Sequence, residues 1–318
     1  YQTSDYHTAR VVVTFKERIF LLNIQEEGNW HPQKLRWSDT GDITAWTGGK
    51  AGSNVLVEDK SEIVGAKVLG NDLAIYKGQS IVSARYTAQS PLFTFNTMVS
   101  DLGLAAPNCL VDIGSVHLFL GSDYDIHMYQ GGSTAPSITK DRVRREFMTT
   151  INKDYVRRSF AEVDFVHHLV MFFVPTESQY PDTCWIYDYI NRTWAKDVLG
   201  HYVTAAGVTA RPTGIMIDDL VGTIDEQHWY IDDLETTDEA PTVVLGTTEG
   251  TAYQLDNYTQ NDAGSSIEAY VETPDFVAPQ AYQRRALRHT ELRFEAAGDE
   301  VTVAYSEDEG QSWTDIET

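Results

Sequence analysis

The chain has 318 residues, 42% hydrophobic and 22% charged, enough to build a core for one large or two ordinary domains. Its 47 acidic against 24 basic residues give a formal net charge of −23. That balance excludes a general nucleic-acid-binding surface, which needs clustered Lys and Arg to displace counterions, and permits a surface that DNA slides past without sticking.

Two cysteines, Cys109 and Cys184, lie outside any CxxC pair and read as buried thiols of a reducing compartment. No apolar run reaches membrane-spanning length, and the first residues do not read as a signal peptide. Beginning at Tyr1 without Met, the chain reads as a piece of a longer protein.

The first unit opens with two strands across residues 10–23, joined by Lys16-Glu17-Arg18. It continues into Trp37-Ser38-Asp39-Thr40-Gly41, with Trp46 expected to re-enter the core as an aromatic anchor. Residues 47–61, rich in Gly and Ser, read as a loop. A second unit starts at Glu62, with a tight hairpin at Gly70-Asn71-Asp72, a turn at Gly78-Gln79-Ser80 and an outer strand at 92–96. The third, residues 108–129, reads as a meander of three strands.

Residues 139–152 break the β pattern. Val143, Phe147, Met148 and Ile151 fall at helical spacing, with Ser137 or Thr139 as the expected cap. The fourth unit returns to strands at 159–164, 169–174 and 184–194, and carries Asp188 and Trp194 around a tight turn, as in kelch-type blades. A fifth combines 202–208 with 242–255, separated by an acidic stretch at 212–241 expected to form loops. Starts near 11, 62, 108, 160 and 202 are spaced like propeller blades. The predicted fold is all-β: a β-propeller over 1–264 with about five or more blades and one inserted helix, then a C-terminal β segment over 265–318. That segment alternates apolar and polar residues at 267–273, 292–295 and 301–306, as a small sandwich or as closing blades.

Ser306, Asp308, Gly310 and Trp313 fit the Asp-box pattern S-x-D-x-G-x-x-W, a folding device of propellers that sits away from active sites. A sialidase reading needs arginines converging on a carboxylate, and no motif places them so. The histidines lack metal-site spacing, and Asp218-Asp219, Asp225-Glu226 and Asp232-Asp233 read as a solvated acidic loop. No Walker A loop, G-x-S-x-G elbow or HExxH occurs. No catalytic residue, cofactor or metal is expected. Basic residues concentrate in 140–158 and 284–293, while 212–283 holds none. Arg142, Arg144, Arg145, Arg157, Arg158, Arg284, Arg285 and Arg288 are therefore candidates for a basic subunit interface meeting an acidic arc on the next copy.

The order of these motifs spans nearly the whole chain: Trp-Ser-Asp-x-Gly-Asp-x-x-x-Trp, a mid-chain helix, Phe-Phe-Val, Tyr-Asp-x-x-x-Asn-x-Thr-Trp and the terminal Asp box. It resembles the tail-hub or nozzle proteins of short-tailed bacteriophages, the packaged-DNA stabilisation type. The resemblance implies a structural, non-enzymatic virion subunit made in the host cytoplasm. It further implies a six-fold homo-oligomeric ring docked against the portal or adaptor and other tail proteins. Such a ring continues the DNA channel, touches genomic DNA only transiently and inserts in no membrane. Two alternatives stand beside it. One is a glycan-binding or sialidase-like propeller stacking sugars on Trp30, Trp46, Trp229 or Tyr230; the other is a kelch-like interaction scaffold.

Overall fold

In the computed structural model, the described residues are 8–209, 241–255, 261–262, 265–266, 303–306 and 312–316. The chain divides into two compact units, residues 1–259 and 260–318.

Unit one is a run of antiparallel meanders. The first comprises β1 (Thr8–Phe15), β2 (Arg18–Glu26), β3 (Asn29–Trp37) and β4 (Gly52–Val55), hydrogen-bonded in that order. The second comprises β5 (Ile63–Leu69), β6 (Asp72–Lys77), β7 (Ser80–Tyr86) and β8 (Phe93–Ser100). The third has β9 (Leu110–Asp112), β10 (His117–Leu120) and β11 (Ile126–Tyr129), and is followed by α1 (Asp141–Thr150). The fourth has β12 (Phe160–Asp164), β13 (Leu169–Val174), β14 (Thr183–Asp188) and β15 (Thr193–Val198). The fifth joins β16 (Val203–Thr209), β17 (Thr242–Thr247) and β18 (Ala252–Gln254).

The period of two along a strand sends alternate side chains to opposite faces, and here both faces are used. Leu73 and Ile75 of β6 join Phe20, Leu22, Leu35 and Trp37 in a core between the first and second meanders. Their neighbours Ala74 and Tyr76 point the other way and pack with Phe119 and Tyr129 of the third. In β13, Val170, Phe172 and Val174 face the third meander and α1, while Met171 and Phe173 face Val203, Val243 and Leu245 of the fifth. That two-sided burial explains why these strands read as unbroken apolar runs.

The first strands of the meanders are neighbours: β1 touches β5, and β12 touches both β9 and β16. A parallel bridge from Asn108 to Phe160 ties the third and fourth at this inner edge. Sheets stacked face to face around adjacent first strands make the fold an all-β propeller.

Several expectations are corrected. Residues 47–61 are not all loop, because β4 pairs with the end of β3, Gly52 opposite Trp37. The indole lies over the backbone there, and a Cβ on Gly52 would stand 2.6 Å from Trp37 Cζ2, so a residue of low strand propensity is the one that fits. Helix α1 has Lys140 at its N-cap position and no side-chain cap. Thr139 bonds Asp125 instead, and the Ser137 hydroxyl donates to the Thr139 carbonyl at 3.0 Å. Trp46 is half-buried and, among the described residues, belongs to none of the apolar cores; its carbonyl accepts from Arg36 at 3.0 Å.

In unit two, β19 (Asn261–Asp262) pairs with β20 (Ser265–Ser266), and β21 (Ala304–Tyr305) with β22 (Thr314–Asp315). The acidic stretch at 212–240, the alternating segments at 267–273 and 292–295, and Arg284, Arg285, Arg288, Asp308 and Gly310 lie outside the described residues.

Candidate functional site

The side chains that converge from furthest apart in the sequence meet at the inner edge. A bulge interrupts the β2–β3 register between Leu22 and Ile24 and places Asn23 at φ +55°. A bulge re-aims the extra residue, and Asn23 turns inward until it is 1% exposed. Its amide nitrogen donates to the Ile63 carbonyl at 2.8 Å and to Glu62 Oε2 at 3.3 Å. Arg10 of β1 donates to the same Oε2 at 3.1 Å. Arg157, in the short 3-10 turn Val156–Arg158 that leads into β12, donates to Glu62 Oε1 at 2.6 Å. Residues of the first, second and fourth meanders thus share one carboxylate. Burial alone would raise the pKa of Glu62, but the Arg157 hydrogen bond and charge, with Asn23 and Arg10, outweigh it and hold the carboxyl below its ordinary value. Glu62 is therefore an ionised anchor at neutral pH, not a proton donor. The Arg10 guanidinium also lies 4.7 Å from the centre of the Trp30 ring, a cation–π contact. The cluster brings two arginines onto a carboxylate of the chain itself.

Asp123, Asp125 and His127 bring ligand-type atoms within 4.8 Å of one another. Their hydrogen bonds define a different device. His127 Nδ1 lies 3.0 Å from the Ala135 carbonyl, and Nε2 lies 2.9 and 3.0 Å from the two Asp123 oxygens. Both partners only accept, so the contacts favour the imidazolium form, with a proton on each ring nitrogen. Burial would lower its pKa, but the Asp123 bond and charge raise it. Asp125 Oδ1 accepts from the Ile126 amide and the Thr139 hydroxyl, and its Oδ2 lies 2.8 Å from Arg144 Nε in an ion pair. Asp123, His127 and Arg144 are thus engaged in ion pairs within the chain.

This pair pins the segment after β11. A group whose pKa is raised in the folded state lends stability fully below its unfolded value and loses it as pH rises through the folded one. Raising pH from 6.5 upward is therefore expected to loosen residues 130–138. Amide exchange, corrected for its intrinsic pH dependence, should speed at Met128 and Ile138, which bond Pro136 and Ile126 across the segment. The His127→Gln variant should show no such step; an identical step in it would refute the assignment.

The turn motifs do architectural work. Ser38 is fully buried; its hydroxyl accepts from the Ile19 amide at 3.1 Å. Asp39 Oδ1 accepts the Thr40 and Lys50 amides at 2.7 and 3.1 Å. Gly41 takes φ +67° and donates to the Glu17 carbonyl. Trp37 stacks on Phe20 at 5.8 Å and donates to the Lys50 carbonyl. Asp188 accepts the Ile190 and Asn191 amides at 2.9 and 2.8 Å. Trp194 packs 4.8 Å from Tyr187 and donates to the Ile138 carbonyl, tying β15 to the segment before α1. Of the Asp box, Ser306 and Trp313 are described, and Trp313 is half exposed beside β22.

The candidate interface arginines whose side chains are described have partners within the chain. Arg144 pairs with Asp125 and Arg157 with Glu62, while Arg158 bonds Gln179 and stacks over Tyr180 at 4.4 Å. Arg145 is exposed on α1, and the Arg142 side chain lies outside the described set.

No family model and no curated protein matches the chain. Among solved structures it is similar to BamB from Moraxella catarrhalis, at 9% identity over 81% of this chain and 61% of that one, with a TM-score of 0.42. It is also similar to the computationally designed Ika4 protein, at 12% identity over 63% of this chain and 94% of that one, with a TM-score of 0.34. The chain thus spans less than two thirds of the BamB chain. Its fold assignment follows from its own stacked meanders.

Sequence reasoning missed Arg10, Asn23 and Glu62. The contacts of Glu62 reach 52 and 95 residues along the chain, and nothing local marks such a meeting point. The weak signal was position, since Glu62 and Arg157 both stand just before a first strand.

Proposed function

We propose that the chain is a structural subunit of a phage tail of the hub or nozzle type, forming a homo-oligomeric ring around exiting DNA. The observation that carries this reading is the state of its reactive groups. Burial pushes the pKa values of the Cys109 and Cys184 thiols well up, and with that the fraction of reactive thiolate falls. Asp188 is held low by the Asn191 backbone and side chain, and Asp72 by Arg85. Each of these groups is set for architecture, not for turnover. The net charge of −23 fits a bore wall that repels the duplex. Particle images of the purified chain, with a filter-binding assay on duplex DNA at physiological salt, test the reading. Rings with a central hole and weak DNA retention are expected. Lone discs that hold duplex DNA tightly would sink it.

A further inference from the structure

A cleft of about 640 Å³ lies between the β1–β2 turn, the second meander and the segment that follows β11. Its volume falls within the range of small-molecule sites, about 300–1,000 Å³. Three meanders supply the walls: Lys16 from the first, Asp72, Ser83, Arg85 and Tyr86 from the second, and Tyr129 with the chain after it from the third. Gly131 and Gly132 take φ +88° and +89° and line the cleft with bare backbone. Tyr129, itself buried, donates its hydroxyl to the Gly132 carbonyl at 3.2 Å, which holds this wall in place.

The Asp72–Arg85 pair sets what the cleft can take. Arg85 Nε lies 3.1 and 3.2 Å from the two Asp72 oxygens, and Nη2 donates to Oδ2 at 2.8 Å; the Ser83 hydroxyl donates to the same Oδ2 at 3.0 Å. The Arg85 hydrogen bonds hold the Asp72 carboxyl below its ordinary value, with Ser83 and the Lys16 charge adding to them, so it is ionised at neutral pH. Neither partner is used up. Among the described residues, Asp72 Oδ1 takes only the Nε bond and Arg85 Nη1 takes none. Both groups reach solvent, since the two side chains are 23% and 68% exposed.

A carboxylate only accepts and a guanidinium only donates, so a ligand here must bring a donor and an acceptor side by side. Neighbouring ring hydroxyls do this, because each O–H does both. A simple anion brings acceptors alone and meets the Asp72 charge; an ammonium brings donors alone and meets Arg85 and Lys16. The cleft also has an aromatic surface. The buried Arg18 guanidinium lies 5.5 Å from the centre of the Tyr86 ring, and Phe93 packs against that ring at 5.5 Å, so it is held in place. Such a ring suits the C–H face of a sugar, whose hydroxyls stand around the rim. Neither Trp30 nor Trp46 lines this cleft.

We propose that the cleft binds a hexopyranose unit, with Asp72 and Arg85 gripping two neighbouring hydroxyls and the sugar ring lying on Tyr86. The site belongs to a single copy of the chain and stands whether or not copies form a ring.

Saturation-transfer NMR titrations of the intact chain at pH 7 test this, with the methyl glycosides of glucose, galactose and mannose as stand-ins for the chain-borne unit. At least one should bind in the millimolar range, at least tenfold more tightly than tetrahydropyran-2-methanol, which has the ring without the diol, and than acetamide. Arg85→Met and Asp72→Asn should each weaken that glycoside at least tenfold, and Arg85→Lys less. Arg85 sits in an exposed ion pair, so Arg85→Met should keep the wild-type circular dichroism and melting temperature. If Asp72→Asn melts early, Arg85→Met alone decides. Acetamide binding as tightly as the best glycoside would overturn the sugar reading. Glucuronate binding tenfold more tightly than methyl glucoside would make this an anion site and overturn the diol grip. Glycoside binding unchanged in Arg85→Met, or absent at tens of millimolar for all three, would overturn the site altogether.

Discussion

Replacing Lys77 by Ala is expected to destabilise the chain by about 3–5 kcal/mol, the range for removing one member of a buried ion pair. Lys77 is 1% exposed at the end of β6. Its ammonium donates to the Leu56 and Asp59 carbonyls at 3.0 and 2.8 Å and lies 3.0 Å from Asp59 Oδ1. Asp59 also accepts from the Ser61 amide at 2.6 Å and from the hydroxyls of Ser61 and Ser80. One cation thus ties Leu56 and Asp59, in the link between β4 and β5, to the end of β6. Truncation opens a cavity, strands the Leu56 carbonyl and leaves Asp59 without its counter-ion. Lys77→Met separates these effects, since it keeps the packing volume and removes only the charge and donors. Urea unfolding should place Lys77→Met below wild type and above Lys77→Ala. A Met variant within about 0.5 kcal/mol of wild type would mean the ammonium is not what holds the link. The pH response has a defined sign. Burial would raise the pKa of Asp59, but Ser61, Ser80 and Lys77 lower it, so its stabilising effect is present above the ordinary carboxylate value and fades as pH falls through the lowered one.

Gly103→Ala is the second large effect, expected at about 3 kcal/mol or more. A Cβ there would stand 2.1 Å from the Lys77 carbonyl oxygen, 2.4 Å from the Gly78 carbonyl carbon and 2.5 Å from the Gln79 nitrogen. All three are backbone atoms of the β6–β7 turn and cannot rotate aside. Moving them breaks the Leu104 amide bond to Lys77 and the paired bonds between Gly103 and Ser122. Gly207, on exposed β16, is the control: a Cβ there meets nothing within 4 Å, and Ala should shift stability by less than about 0.5 kcal/mol. Equal urea midpoints for the two alanine variants would refute the close-approach argument.

The fold was legible where side chains repeat. The first strands begin at Thr8, Ile63, Leu110, Phe160 and Val203, close to the predicted starts, because alternation and turn residues mark strand ends locally. Helix α1 was legible through Phe147 and Ile151, both buried against the fourth meander. The beginning of β3 and all of β4 were not, since Asn29, Gly52 and Ser53 have poor strand propensity and are recruited by backbone pairing. The turn at Lys16-Glu17 was placed correctly by the flanking apolar runs, although both residues adopt positive φ, which their types do not announce. Side-chain destinations were the least legible. Thr139 had the chemistry of a cap and serves Asp125, and Lys77 reads as a surface residue and is buried.

Because each interior sheet belongs to two cores, it has no spare side. Excising the second meander would uncover Phe20 and Phe119 together, whereas lengthening a surface loop uncovers neither. Such a chain gains or loses length in whole-sheet steps, and its lineage should show duplicated or deleted modules instead of gradually shortened strands.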